Sequence, residues 1–318
     1  MKNFKIWFII ATIIIAIGGI TFVIGMSCLN WDFTKLSTQK TVTNTYEITQ
    51  NYHSIYINSD TADISFEVAQ DEKTKVVCYE QEKLNHTVTV ENGVLSISIV
   101  DERQWYEYVN IGFSSQSITV YLPIKDYATL SIKSSTSDVD IGKDFAFENA
   151  DISISTGDVD YNAKTSETLK ISTSTGDIKA SGIDAKTITL SAGTGSISLS
   201  ASSCENLTVG VSTGNVNLVD ISCEILTSSG STGDLSLRNV IATQKFNLER
   251  ETGDIKFDGC DAGEIQAKTI TGNVSGTLLT EKIFIVETST GEKDYPHSTS
   301  GGICHITTST GDIKISIK

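Results

Sequence analysis

The chain has almost no proline: among 318 residues only Pro123 and Pro296 occur, and neither interrupts a run with strand character. Basic charge is also scarce. Lys and Arg total 24 against 39 Asp and Glu, a formal charge of −15, and arginine occurs only at Arg103, Arg238 and Arg250. Such a surface repels phosphate backbones, which argues against a nucleic-acid partner and against a polybasic membrane-surface reader. The four histidines, His53, His86, His297 and His305, are scattered along the chain. The six cysteines, Cys28, Cys78, Cys204, Cys223, Cys260 and Cys304, include no CxxC and no Cys/His cluster in sequence. A zinc site is therefore not expected.

Charge is absent altogether from Ile6 to Trp31, a stretch long enough for a transmembrane helix. Trp7 and Trp31 stand near its ends, where amphipathic rings favour the interface. Lys2 and Lys5 precede it, so the positive-inside rule predicts a cytoplasmic N-terminus with the bulk of the chain outside. Two other readings compete. A cleaved signal peptide asks for a shorter apolar run and a small-x-small site, of which there is no good example. A lipoprotein cysteine at Cys28 asks for a better lipobox than Gly25-Met26-Ser27.

The dominant feature is a repeat. A Ser-Thr-Gly-Asp-apolar pattern returns with its Thr at Thr136, Thr156, Thr175, Thr194, Thr213, Thr232, Thr252, Thr271, Thr290 and Thr310. The gaps are 20, 19, 19, 19, 19, 20, 19, 19 and 20 residues. A fixed period of this size means stacked units, one coil per repeat.

With the Thr as position zero, −6 and −4 are usually apolar (Leu169/Ile171, Leu207/Val209, Phe246/Leu248), and so are +3 and +5 (Val159/Tyr161, Val216/Leu218, Ile255/Phe257). Spacing of two is the strand period. The change from even to odd across Thr-Gly means that the chain turns there with both strands facing inward. Glycine at +1, from Gly157 to Gly311 with only Ser137 departing, supplies the positive φ of such a turn. Asp or Asn at +2, as in Asp158, Asp177, Asn215 and Asp234, is expected to bond back to turn backbone. A looser turn such as Ala180-Ser181-Gly182-Ile183-Asp184 joins one coil to the next.

The expected fold is all-β: a single-stranded right-handed parallel β-helix, a solenoid of about 19-residue coils, preceded by one N-terminal transmembrane helix. Nine steps of about 4.8 Å predict a regular rod of roughly 43 Å. The expected division is 1–31 for a short cytoplasmic N-terminus and anchor, 32–45 for a linker, 46–129 for a first coil and N-terminal cap, and 130–318 for the repeats. Ile55, Ile57, Thr61, Asp63, Ile64 and Phe66 fit the pattern as that first coil. Residues 70–125 then form a capping insertion with a hairpin at Asn92-Gly93 and an aromatic cluster, Trp105, Tyr106, Tyr108 and Phe113, placed to cover the open core. At the other end Lys314 and Lys318 are expected to blunt an exposed edge strand. Cys204 and Cys223, each ten residues after its Thr, should stack in adjacent coils, either as a disulfide or as two small side chains in one buried row.

The stretch Val120-Tyr121-Leu122-Pro123, then Leu130-Ser131-Ile132-Lys133-Ser134-Ser135-Thr136-Ser137-Asp138-Val139 and the repeated Ser-Thr-Gly-Asp units, resembles the DUF4097 family over about residues 46–318. These β-strand-repeat proteins are often labelled "putative adhesins" and include LiaG-like proteins. The resemblance implies an exported or membrane-tethered β-helix linked to the cell envelope. It carries no catalytic residues to place on this chain.

Chemistry and scaffold can be weighed from the pattern. Asp158 with Asp177, or Asp234 with Asp254, should stack about 5 Å apart, near the spacing of a retaining glycosidase pair. The same residue type recurs at this corner in most coils, so turn chemistry explains it. The acidic row invites Ca²⁺, but Ser196, Asn215 and Asn273 interrupt it and the nonapeptide calcium signature is missing. Thr-x-Thr triplets such as Thr173-Ser174-Thr175 suggest an ice-binding ladder, but parity turns them inward. Arg250, at inward position −2, breaks the pattern; it is expected to pair with Glu249 or Glu251, or to snorkel above Gly230. Outward positions −5, −3 and −1 of the middle coils are small and polar: Ser172, Ser174, Ser191, Gly193, Gly210, Ser212, Ser229 and Ser231. No catalytic, cofactor-binding or metal-ligating residue is assigned. The expected function is a non-catalytic, adhesin-like module of the cell envelope, inserted in the membrane by residues 6–31, with wall polymer or another envelope or membrane protein as partner. The alternatives are an accessory sensor of an envelope-stress system acting through a membrane partner and, behind it, a polysaccharide-acting enzyme.

Overall fold

The computed structural model describes residues 2–32, 40–105 and 115–318. Helix α1 (Lys2–Cys28) contains a 24-residue apolar stretch, Lys5–Cys28, of mean hydropathy 2.6. At 1.5 Å per residue that is roughly 36 Å, enough to cross a hydrocarbon core. Everything else regular among the described residues is β.

In chain order the strands are β1 (Thr41–Ile48), β2 (Ser54–Asn58), β3 (Ala62–Val68), β4 (Thr74–Gln81), β5 (Leu84–Glu91), β6 (Val94–Asp101), β7 (Gln116–Leu122), β8 (Asp126–Thr136), β9 (Val139–Ile141), β10 (Ala146–Thr156), β11 (Val159–Tyr161) and β12 (Lys164–Thr175). There follow β13 (Ile178–Ser181), β14 (Asp184–Thr194), β15 (Ile197–Thr213), β16 (Val216–Thr232), β17 (Leu235–Thr252), β18 (Ile255–Thr271), β19 (Val274–Leu278), β20 (Lys282–Thr290), β21 (Lys293–Asp294), β22 (Gly302–Thr310) and β23 (Ile313–Ile317). β1 starts at Thr41, inside the stretch expected to be a linker, and pairs antiparallel with β4.

From β8 to β19 the coils form a parallel β-solenoid in which equivalent residues pair: Leu169 with Ile188, Ile188 with Leu207, and Thr213 with Thr232. The regular part has about nine turns. Positions −6, −4, +3 and +5 fill the core, as Leu169, Ile171, Val216, Leu218, Ile255 and Leu248 show, each at 0–1% exposure. Each such side chain contributes roughly 1.5–3 kcal/mol by burial. Tyr161 is also fully buried, and its hydroxyl is satisfied by Thr165 Oγ1 at 2.6 Å.

The Thr-Gly corner is built as its period demands. Gly214 has φ +144°, and a Cβ there would lie 2.0 Å from the carbonyl oxygen of Gly195 in the coil before. The second corner is tighter than expected. In the middle coils the strand runs unbroken around one left-handed residue: Ala201 (φ 48°), Asp220 (56°) or Asn239 (52°). The +2 carboxylates and amides also differ from expectation, because they bond across coils and not within their own turn. Asp138 Oδ1 accepts the Asp158 amide (2.8 Å), Asp158 Oδ1 that of Asp177 (2.7 Å), and Asp177 Oδ1 that of Ser196 (2.7 Å). The row is a hydrogen-bond ladder along the rod.

The two ends do not stack in chain order. At the N-terminal end β2 lies between β6 and β8, and β3 between β7 and β9, so the first coil is sandwiched between the later β6/β7 layer and the repeats. β5 pairs antiparallel with β6 through the Asn92-Gly93 turn, and β4 with β7. At the C-terminal end β22 lies between β18 and β20, and β23 between β19 and β21. The final coil is thus inserted beneath the one preceding it. Gly301-Gly302 makes the crossing: a Cβ would lie 1.8 Å from Glu281 O at Gly301 and 1.9 Å from Gly263 O at Gly302. The terminal layer is therefore β20/β21, so Lys314 and Lys318 do not guard the outermost strand. Tyr295 packs on Phe284 there at 5.8 Å.

Candidate functional site

The small outward residues of the middle coils form an open depression of about 430 Å³. Parallel register sets Ser191, Gly210 and Ser229 in one row and Ser212 beside Ser231 in the next. The floor is low because these residues have almost no side chain. It ends in a step, where the next two coils put Glu249 and Glu251, then Lys268 and Ile270, at the same positions. Lys268 Nζ lies 3.4 Å from Glu249 Oε1, an exposed pair of little energetic weight. Hydroxyls on the floor suit a hydroxylated ligand, and the step supplies an end stop.

Arg250 lies at the foot of that step, 2% exposed. It does not pair with a Glu249 or Glu251 carboxylate. Its Nη1 donates to the Glu249 carbonyl (2.8 Å) and its Nη2 to Ser228 Oγ (3.0 Å), while Nε has no partner. Burial pulls its pKa down to about 10, with the nearby Asp234 charge opposing that fall. Gly230 makes room, since a Cβ there would lie 3.0 Å from Nη1.

The other positions weighed from sequence have structural work. Asp158 Oδ1 and Asp234 Oδ1 each accept an amide from the next coil, which explains their recurrence without catalysis or calcium. The inward Thr of Thr-x-Thr donates to a glycine carbonyl of the neighbouring coil, as in Thr269 to Gly253 O and Thr308 to Gly272 O, both 3.0 Å. Cys204 and Cys223 are free thiols in a row continued by Ala185 and Ala242. Burial raises their pKa values to about 12 and about 11. Trp105 is 81% exposed and does not cover the core, whereas Tyr106, Tyr108 and Phe113 lie outside the described residues.

One cluster escaped the sequence reading. Cys78, Glu80 and His86, all buried, bring their donor atoms within 4.8 Å of one another. His86 Nδ1 lies 2.7 Å from Glu80 Oε2, Ser59 Oγ lies 3.1 Å from His86 Nε2, and Asn44 Nδ2 donates to Glu80 Oε1 at 2.7 Å. The available signal was faint: Cys78 and Glu80 share one face of a strand at a spacing of two, and a polar residue on a buried face needs a partner.

The model of the family described as Toastrack DUF4097 matches residues 52–225 and 222–318. No curated protein matches the chain. A crystal structure described as a "putative adhesin" from Parabacteroides distasonis is 13% identical, covers 87% of this chain and 98% of its own, and has a TM-score of 0.52. A "putative adhesin" from Bacteroides fragilis is 14% identical over 88% of this chain and 99% of its own, with a TM-score of 0.44. A "putative lipid binding protein" from P. distasonis is 19% identical over 77% of this chain and 98% of its own, with a TM-score of 0.45.

Proposed function

This chain belongs to the Toastrack DUF4097 family, and we propose that it serves as a non-catalytic binding module of the cell envelope, tethered by α1 with its solenoid outside the cytoplasm. The observation that carries this reading is the low, hydroxyl-lined floor at Ser191, Gly210 and Ser229, closed by the step at Glu249 and Lys268. Similarity to proteins described as adhesins supports it. A flat parallel sheet of small side chains lets an extended polymer lie close to the backbone and exchange hydrogen bonds along its length, and the chain's net acidity favours a neutral hydroxylated polymer over an anionic one.

The full-length chain in detergent micelles is expected to co-sediment with purified cell wall, and the double variant Ser191→Lys/Ser229→Lys to lose most of that binding. Wall binding that survives both lysines moves the site elsewhere. If the wall does not bind but a discrete membrane protein is captured, the chain is an accessory to that protein.

A further inference from the structure

We propose that Cys78, Glu80 and His86 form a binding site for one divalent cation of the zinc class, which clamps β4 to β5 within the N-terminal cap. The three donors come from two strands. Cys78 and Glu80 are two apart on β4 and so face one way, and His86 on β5 meets them from the side. All are at most 1% exposed. Donors around tetrahedral zinc, with bonds of about 2.0–2.3 Å, stand roughly 3.5 Å apart. Donor atoms already within 4.8 Å of one another need only small adjustment, and the 2.7 Å contact between Nδ1 and Oε2 has to open by less than about 1 Å.

The surroundings are those of a metal site. The far nitrogen of His86, Nε2, is held by Ser59 Oγ, and the far oxygen of Glu80, Oε1, by Asn44 Nδ2. Such outer hydrogen bonds fix ring tautomer and carboxylate orientation around bound metals, and here they leave Nδ1, Oε2 and Sγ facing one another. The Glu80 Oε2 atom also accepts the His86 amide at 2.7 Å, which holds it on the same side. Thiol, imidazole and carboxylate together select a borderline cation over Mg²⁺ or Ca²⁺. The charges balance as well: a thiolate and a carboxylate neutralise one divalent ion, whereas each alone would be a buried charge. On binding, the Cys78 thiol proton leaves to solvent, the neutral ring presents its lone pair at Nδ1, and its N–H stands at Nε2 and donates to Ser59 Oγ. No electron is transferred. The three donors come from two strands and meet only in the folded chain, so loading is coupled to folding.

The order Ser59–His86–Glu80 is also that of a nucleophile, base and orienting acid. Ser59 is 5% exposed, however, with its hydroxyl against a buried ring, an arrangement suited to holding His86.

The test is cobalt and zinc titration of the full-length chain, chelator-treated and refolded in detergent. One equivalent of Zn²⁺ should survive gel filtration, and Co²⁺ should give a sulfur-to-cobalt charge-transfer band. Cys78→Ser should lose the band while keeping its far-ultraviolet β spectrum, and Cys204→Ser/Cys223→Ser should keep it. X-ray absorption on zinc-loaded wild type should show one sulfur among nitrogen and oxygen donors, which decides the matter even if Cys78→Ser fails to fold. Substoichiometric metal on folded wild type, a shell without sulfur, or an unchanged band in Cys78→Ser overturns the site.

Discussion

At the residue scale, this fold rests on backbone positions that only some side chains tolerate. Gly214 and Ala201 are opposite cases in neighbouring coils. Gly214→Ala drives a methyl into the Gly195 carbonyl at a backbone angle L-residues avoid, and should cost at least ~2 kcal/mol. Ala201 holds a left-handed conformation at φ 48°, where Gly182 and Gly259 serve other coils, so Ala201→Gly should stabilise by about 1 kcal/mol. Thermal unfolding of the two variants against wild type checks both signs. A Gly214→Ala chain that melts with wild type would mean the corner can open without loss. The Thr-Gly-Asp corner was legible because its constraints are local: positive φ at one residue and a short acceptor at the next. The direction of the acceptor's bond was not. An Asp beside a turn has amides of its own turn and of the next coil within reach, and only stacking distance selects the second.

At the element scale, the strand periods were legible from alternation alone, but the order of layers at the two ends was not. A coil with apolar −6, −4, +3 and +5 presents the same surface to any neighbour, so the 19-residue pattern cannot distinguish β20 resting on β18 from β22 resting on β18. Weaker signals were present: the adjacent Gly301-Gly302 and the poor corner at Glu292-Lys293 both mark where the chain leaves and re-enters the stack. The polar cluster at His86 escaped for a related reason, since its members come from β1, β4, β5 and the β2–β3 turn, brought together by the displaced first coil. Insertion of the last coil makes a sharp prediction. Lys268 pairs with Thr307, and Thr307 with Glu287, so Lys268 and Glu287 are two strand spacings apart, roughly 9.6 Å. Lys268→Cys/Thr307→Cys should therefore form a disulfide on mild oxidation, located by peptide mass mapping, and Lys268→Cys/Glu287→Cys should not. The reverse result would restore stacking in chain order.

At the scale of the whole molecule, the solenoid grows by nearest-neighbour layers and exposes one long low face, so what the face can meet depends on the compartment it occupies. The charges around α1 do not set that compartment by themselves. Lys2 and Lys5 precede the apolar stretch, and Lys35 and Lys40 follow it within the distance over which flanking charges act. The acidic body adds little to orientation, because carboxylates count weakly in that rule. The basic charges are thus evenly matched, two on each side, and the outward solenoid proposed above needs a direct test. An exposed reporter reads it directly: Ser231→Cys on the floor of the depression, in a Cys28→Ser/Cys204→Ser background, because Cys28 is exposed and Cys204 half-buried whereas Cys78, Cys223, Cys260 and Cys304 are buried. A membrane-impermeant maleimide applied to intact cells should label Ser231→Cys without lysis, and the labelled chain should sediment with membranes. Labelling that appears only after lysis places the body inside and removes wall polymer as a ligand. Labelled protein in the medium makes α1 a cleaved leader and leaves the same face free to act at a distance from the cell.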